Sequence, residues 1–170
     1  TANHIVPEGR TQTQLSTSGT VTNITTSTLS GATGFNSFSH FQEGAGNTVN
    51  LQVPNGANSL VNIVRDSPVV VNGILNGYQN GKIGGNVYFA DPYGFVVGSQ
   101  GVVNVGGLSV STPTRQFLDG VIDQSGNINA AAARQLMNGT APISSDGMIA
   151  IRGRINAGEG GVRLQGQSVV

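Results

Sequence analysis

From Val49 onward the chain repeats one local pattern, a short β-branched or aliphatic run ended by a glycine or by an Asn-, Asp- or Pro-led turn. The runs are Val49–Val53, Leu60–Val64, Val69–Leu75, Ile83–Phe89, Phe95–Val97, Val102–Val105, Leu108–Val110, Met148–Ile151 and Val162–Leu164. No 3.6-residue apolar period competes with them, so this region reads as strands. Two stretches look like the same unit. Gly94-Phe95-Val96-Val97, Val103-Asn104-Val105-Gly106 and Leu108-Ser109-Val110 correspond to Gly147-Met148-Ile149-Ala150, Ile155-Asn156-Ala157-Gly158 and Val162-Arg163-Leu164, with slips of register between them.

Imperfect repetition of this kind fits a solenoid, whose coils, on the order of 20 residues each, need inward apolar positions and turns at corners more than identical sequence. Strands then stack about 4.8 Å apart, with Asn and aliphatic ladders supplying cohesion. A β-sandwich is the rival. Its strands would alternate cleanly and be joined by regular hairpins, whereas these runs are Gly-cornered and largely two-sided. The expected fold is all-β, a single parallel β-helix.

Residues 1–34 alternate weakly, as in Thr11-Gln12-Thr13-Gln14-Leu15 and Val21-Thr22-Asn23-Ile24-Thr25, with Gly19 and Gly31 as punctuation, and read as antiparallel cap strands. The segment Phe35-Asn36-Ser37-Phe38-Ser39-His40-Phe41 spaces three aromatic rings by three residues, which suits a bent strand plugging one end of the core. Residues 115–142 break the rhythm. Asn129 before Ala130-Ala131-Ala132-Ala133-Arg134-Gln135-Leu136-Met137, then Asn138-Gly139, predicts a capped short helix with a left-handed stop. The expected organisation is a cap over 1–48, coils over 49–114 and 143–170, and an insertion outside the coils over 115–142, serving as a flank cover or a partner surface.

Charge excludes one class of function. Only 9% of residues are charged, with eight basic and eight acidic side chains and no basic block, so the footprint of a nucleic-acid binder is missing. The chain has no cysteine, hence no disulfide or thiolate metal site. No apolar run approaches the roughly 20 residues of a membrane helix. The sequence opens at Thr1 without a basic-then-apolar leader, which fits either a chain that never had one or a chain from which it has been removed.

Two turns carry the same chemistry. Val53-Pro54-Asn55-Gly56 and Asp91-Pro92-Tyr93-Gly94 each place a proline, which fixes φ, ahead of a glycine that tolerates positive φ. The eight acids, Glu8, Glu43, Asp66, Asp91, Asp119, Asp123, Asp146 and Glu159, are scattered through apparent turns; the closest pair, Asp119 and Asp123, flanks Gly120 and reads as solvated. His4 and His40 are isolated, and Ser39 beside His40 is mere adjacency. Gly84-Gly85 and Gly106-Gly107 lack the helix start and lysine of a phosphate cradle.

The order of these pieces resembles the two-partner secretion domain of filamentous haemagglutinin-like adhesins, and most of all its leukotoxin-like branch. That family has two turns built on Asn-Pro-Asn. The first leads through a strand to an Asn-Gly turn, as Val53-Pro54-Asn55-Gly56-Ala57 leads through Leu60–Val64 to Val71-Asn72-Gly73. The second precedes a strand, a Gly corner and a coil like Val102-Val103-Asn104-Val105, and Asp91-Pro92-Tyr93-Gly94-Phe95 occupies its place. The Phe35, Phe38, Phe41 segment is similar to the family's early Phe-Asn-x-Phe-x-x-Phe signature. Val53 stands where the family has the first Asn of one turn, and Asp91 and Tyr93 where it has both Asn residues of the other.

The resemblance covers nearly the whole chain. It implies a right-handed β-helix with an amino-terminal cap, no cofactor, no bound metal and no catalysis. It further implies a monomer addressed through the periplasm to a TpsB-type outer-membrane β-barrel transporter with POTRA domains, secreted to the bacterial cell surface as part of a large type Vb adhesin active in cell adhesion and biofilm. The strand-like end Val162–Val170, without a polar closing cap, fits a piece of a longer exoprotein. A carbohydrate-active β-helix enzyme and a free-standing adhesive or structural module are the alternatives.

Overall fold

In Val49-Asn50-Leu51, Val103-Asn104-Val105 and Ile155-Asn156-Ala157 the chain extends and sends the flanking side chains to one face and the amide to the other. The computed structural model, which describes residues 1–170, is accordingly 54% strand and 9% helix, with one large, mostly parallel, unclosed sheet. In chain order come β1 (His4–Pro7), β2 (Thr13–Ser18), β3 (Val21–Thr26), β4 (Leu29–Ser30), β5 (Thr33–Glu43), β6 (Thr48–Gln52), β7 (Ser59–Val64), β8 (Val69–Val71), β9 (Ile74–Gln79), β10 (Lys82–Ile83), β11 (Asn86–Ala90), β12 (Gly94–Val97) and β13 (Val102–Ser111). Helices α1 (Arg115–Val121) and α2 (Ala130–Asn138) come next, then β14 (Met148–Ile151), β15 (Arg154–Gln165) and β16 (Ser168–Val169).

The strands fall into three parallel columns. The first holds β3, β6, β9 and the leading halves of β13 and β15. The second holds the leading half of β5, then β7, β11 and the trailing halves of β13 and β15. The third holds the end of β5, then β8, β12, β14 and β16. Each pass of the chain visits the columns in that order. Stacked asparagines of the first column lie 27, 26 and 28 residues apart, and then 52 where the helical insertion is spliced in. A pass is therefore longer than the roughly 20 residues expected of a coil, because it contains three strands and three corners.

Inward residues of all three columns fill one core. Ile24, Leu51, Leu75 and Val103 come from the first column, Leu60 and Leu108 from the second, and Val71, Val97 and Ile149 from the third. Through it runs a file of rings, with Phe38 and Phe41 centroids 5.2 Å apart, Phe41 and Phe89 5.3 Å, and Phe89 and Phe95 5.4 Å. Burying each such side chain stabilises by about 1.5–3 kcal/mol, and edge contacts between rings add about 0.5–1.5 kcal/mol per pair.

Glycines decide several element boundaries differently from the sequence expectation. Val69–Leu75 is broken into β8 and β9 by the corner Asn72-Gly73, and Ile83–Phe89 is broken by Gly84-Gly85, where Gly85 has φ +81°. Conversely, Val102–Val105 and Leu108–Val110 form the single strand β13, bent at Gly106-Gly107 where its register against β15 shifts. Phe95 pairs with Ile149, one residue away from the register of the sequence repeat.

The cap is smaller than residues 1–48. Its antiparallel members are β2 on β3, β4 on β5, and β1 on β5. β3 and β5 themselves pair in parallel with the next pass and so belong to the stack, because Ile24, Phe38 and Phe41 already point into the common core. At the opposite end, β15 and β16 have partners on one side only.

The insertion contains the expected helix, capped by Asn129 Oδ1 on Ala132 N and ended by Gly139 at φ +81°. A second helix, α1, precedes it. Thr114 Oγ1 caps that helix by accepting from Phe117 N. Leu118 and Val121 of α1, with Ala133 and Leu136 of α2, lie on the outward residues Phe35, Val61, Ile63 and Ala90 of the second column and form a separate apolar cluster. Arg163 donates to Met137 O and Gln165 to Gly139 O, tying the C-terminal end of α2 to the last pass.

Candidate functional site

The two Pro-Gly turns occupy different corners. Val53–Gly56 joins the first column to the second, and Asp91–Gly94 joins the second to the third one pass later. Column two separates them by the length of a strand, so they do not converge on one pocket. Each is nevertheless built by the same logic, with a buried first residue, a proline and an exposed third residue.

In the first turn Val53 is 5% exposed and belongs to the core, and its N–H donates to Tyr78 O at 2.8 Å. Ala57 N closes the turn on Pro54 O at 3.0 Å, with Gly56 at φ +82°. Pro54 leans on the preceding pass, where a Cβ at Gly34 would stand 2.8 Å from its ring, and Val53 leans on the following one, 2.6 Å from where a Cβ at Gly85 would stand. An aliphatic side chain at position 53 thus wedges neighbouring passes together. Asn55 projects outward beside Thr25, Gln52 and Asn80 at the rim of an open polar groove.

In the second turn Asp91 is 1% exposed. Its Oδ1 accepts from Tyr93 N at 2.8 Å, while Oδ2 has no partner. Burial pushes its carboxyl up to about 8, against the opposing pull of backbone N–H groups at Tyr93, Val69 and Gly94. The side chain is thus largely protonated at neutral pH and presents one acceptor and one donor, as an asparagine would. Tyr93 is 37% exposed and stands in hydrogen-bonding reach of Arg115, which pairs with Asp66 at 3.0 Å. Gly94 has φ +128°, and a Cβ there would meet Met148 O at 2.5 Å.

The aromatic trio divides. Phe38 and Phe41 enter the ring file of the core, whereas Phe35 faces outward under the helices. Strand alternation sends residues three apart to opposite faces. Phe38 and Phe41 share a face because β5 bends between them, its pairing passing from β7 at Phe38 to β8 at Gln42.

Several polar groups gather that the sequence did not single out together. Arg65, 3% exposed at its side chain, ion-pairs with Asp119 of α1 and lies 3.6 Å from Glu8 of the cap. Arg10 stands 3.2 Å from Glu8, 3.7 Å from Asp119, and donates to Ile122 O. Asp119 therefore fastens the insertion to the cap, while Asp123 holds its own loop by accepting from Asn127 N, Asn127 Nδ2 and Ser125 N, bonds that pull its carboxyl below the usual range. His40 Nδ1 contacts Ser67 Oγ at 2.8 Å, not the adjacent Ser39, and its ring lies 4.7 Å from that of His4. Glu43, 1% exposed, leaves both carboxylate oxygens without a partner, and burial pushes it up to about 8.

The longest polar feature is a ladder. On the outward side of the first column Asn50 Nδ2 donates to Asn23 Oδ1 at 3.0 Å, Asn76 to Asn50 at 3.0 Å, Asn104 to Asn76 at 2.9 Å, and Asn156 to Asn104 at 2.9 Å. Asn50, Asn76 and Asn104 each donate toward the cap and accept from the next pass, while Asn23 accepts at one end and Asn156 donates at the other. A shorter file on the second column joins Asn36 Nδ2 to Asn62 Oδ1 and Asn62 Nδ2 to Tyr88 O.

No group of three or more His, Cys, Asp or Glu side chains is placed to hold a metal ion, and no helix is long and apolar enough to cross a membrane. The chain matches no protein-family model and no curated protein.

Proposed function

We propose that this chain is the export-targeting domain of a secreted bacterial adhesin, a right-handed parallel β-helix handed in the periplasm to the POTRA domains of a two-partner secretion transporter and folding at the cell surface. The observation that carries the reading is the polarity of the stack, in which antiparallel β1, β2 and β4 cover one end and break the parallel ladder, while β15 and β16 continue that ladder in parallel at the other. A stack with one closed end has one direction of growth. Nearest-neighbour coupling between passes then lets the capped end fold first and template each later pass, and folding outside the cell holds the chain against return. The right-handed sense agrees with the general preference of parallel crossovers.

Recognition before folding uses extended chain, whose unpaired strand edges add to a receptor sheet while side chains set specificity. The exposed Asn55 and Tyr93, each next to a proline, are the side chains the two turns offer. The test is secretion of a passenger fused behind this domain, in cells with and without the matching transporter. Export should need the transporter and should fall at least tenfold when Pro54-Asn55 and Pro92-Tyr93 are replaced by alanines that leave the circular dichroism unchanged. Export without the transporter, or at full level from the alanine variant, contradicts the reading. Surface binding by the isolated domain, with no effect on transport, would favour the adhesive module instead.

A further inference from the structure

We infer that the open end of the stack selects its next strand by an asparagine, accepting a parallel strand of the form aliphatic–Asn–aliphatic whose side-chain amide donates to Asn156 Oδ1. This rests on the reading of that end as the growing one and names what it takes.

Four consecutive rungs have the same polarity, Nδ2 of the later pass to Oδ1 of the earlier, at 2.9–3.0 Å. Aligned amides polarise one another, so a ladder with one direction is stronger than a mixed one and rejects reversed rungs. At the cap end Asn23 lies beside Ser16 of antiparallel β2, where the repeat stops. At the other end Asn156 is exposed and spends its amide N–H on Asn104, leaving Oδ1 to accept. Beside it Ile155 and Ala157 are half-buried and pack against the core, forming the aliphatic shelf on which a flanking pair would seat.

The same edge disfavours a second copy of this chain. Two β15 strands meeting through a twofold axis would run antiparallel and bring Asn156 acceptors toward each other without a donor. In the register shifted to set Arg154 opposite Arg163, the two arginines of each strand would instead face those of the other, with only Glu159 of the same strand to offset them. A heterologous strand without basic residues meets neither obstacle. Replacing its Asn by Ala removes one hydrogen bond while leaving the main-chain ladder, a loss of about tenfold in affinity.

The test uses the purified 170-residue chain and a fluorescent synthetic peptide with the sequence of Gly101–Ser111, which is uncharged and carries Val-Asn-Val. Binding is followed by anisotropy, and its place by amide shifts in the protein. The peptide should bind with shifts confined to Arg154–Gln165 and β16, about tenfold more tightly than versions with Asn replaced by Ala or by Asp. Asn156→Ala, on an exposed final rung and checked by thermal melting, should make the Asn and Ala peptides equal. Equal affinity of all peptides for the unaltered protein, no binding, shifts at the cap, or a dimer sedimenting through β15 would each overturn the inference. No transporter takes part, so failure here leaves the export reading intact, and failed secretion leaves this one intact.

Discussion

Asp91→Asn isolates the effect of a buried carboxyl on the second turn. In the unfolded chain Asp91 ionises near the ordinary aspartate value, while in the folded protein burial holds it at about 8. A raised acid pKa makes the folded state the better proton binder. Its contribution to stability is therefore complete below about pH 4 and is lost as pH rises through 8. Each unit is worth about 1.36 kcal/mol, so the unrelaxed cost near pH 8 is up to about 5 kcal/mol. Local relaxation and water entry reduce this to roughly 2–3 kcal/mol. Asparagine keeps the acceptor for Tyr93 N, adds a donor at the position of the orphaned Oδ2, and cannot ionise. In urea, with a slope near 2 kcal/mol/M, the midpoint of Asp91→Asn should exceed that of the parent by about 1 M at pH 8 and by only about a third of that at pH 5. A parent midpoint that does not fall between pH 5 and 8, or a variant that gains equally at both, would refute the reasoning.

Glu43→Gln should act in the same direction, gaining stability over the parent above pH 7 and little at pH 5, because burial also holds Glu43 at about 8; parallel urea titrations check it. Gly101→Ala should cost about 2–4 kcal/mol, since its Cβ would collide with Val71 O of the preceding pass and backbone cannot yield as a side chain does; thermal unfolding measures it. Phe89→Ala, which removes the middle of the ring file between Phe41 and Phe95, should cost about 3–5 kcal/mol in the same assay. Arg65→Ala should loosen the insertion selectively, raising protease cleavage within residues 115–142 before the stack melts, because Asp119 and Glu8 lose the more buried of the two arginines they share.

The parallel strands and the turns were legible in sequence because aliphatic runs and glycines act locally. The helix at Ala130–Asn138 was legible for the same reason, its cap and stop lying within a few residues of it. The features that stayed hidden depend on partners distant in the chain. Asn ladders were expected in kind, but which asparagines stack was not legible, because they recur at 26–28 residues and the insertion stretches one interval to 52. Helix α1 carries Gly120 and has no acidic first turn, so packing of Leu118 and Val121, not propensity, forms it. Phe35 and Phe38 look equivalent in sequence, yet strand alternation and the bend in β5 place them in different clusters. The depth of Asp91 and Glu43 was equally invisible, because acids beside proline or glycine ordinarily mark exposed turns.

Native-state hydrogen exchange, residue by residue, most directly measures whether the stack is closed at one end and open at the other. Amides of β7 and β11, paired on both sides, should exchange only through global unfolding, and those of β3 and β5 beneath the cap nearly as slowly. Alternate amides of β15, which face no strand, should exchange orders of magnitude faster. Uniform protection across β3, β7 and β15, or β3 and β5 exchanging as fast as β15, would contradict the one-ended stack.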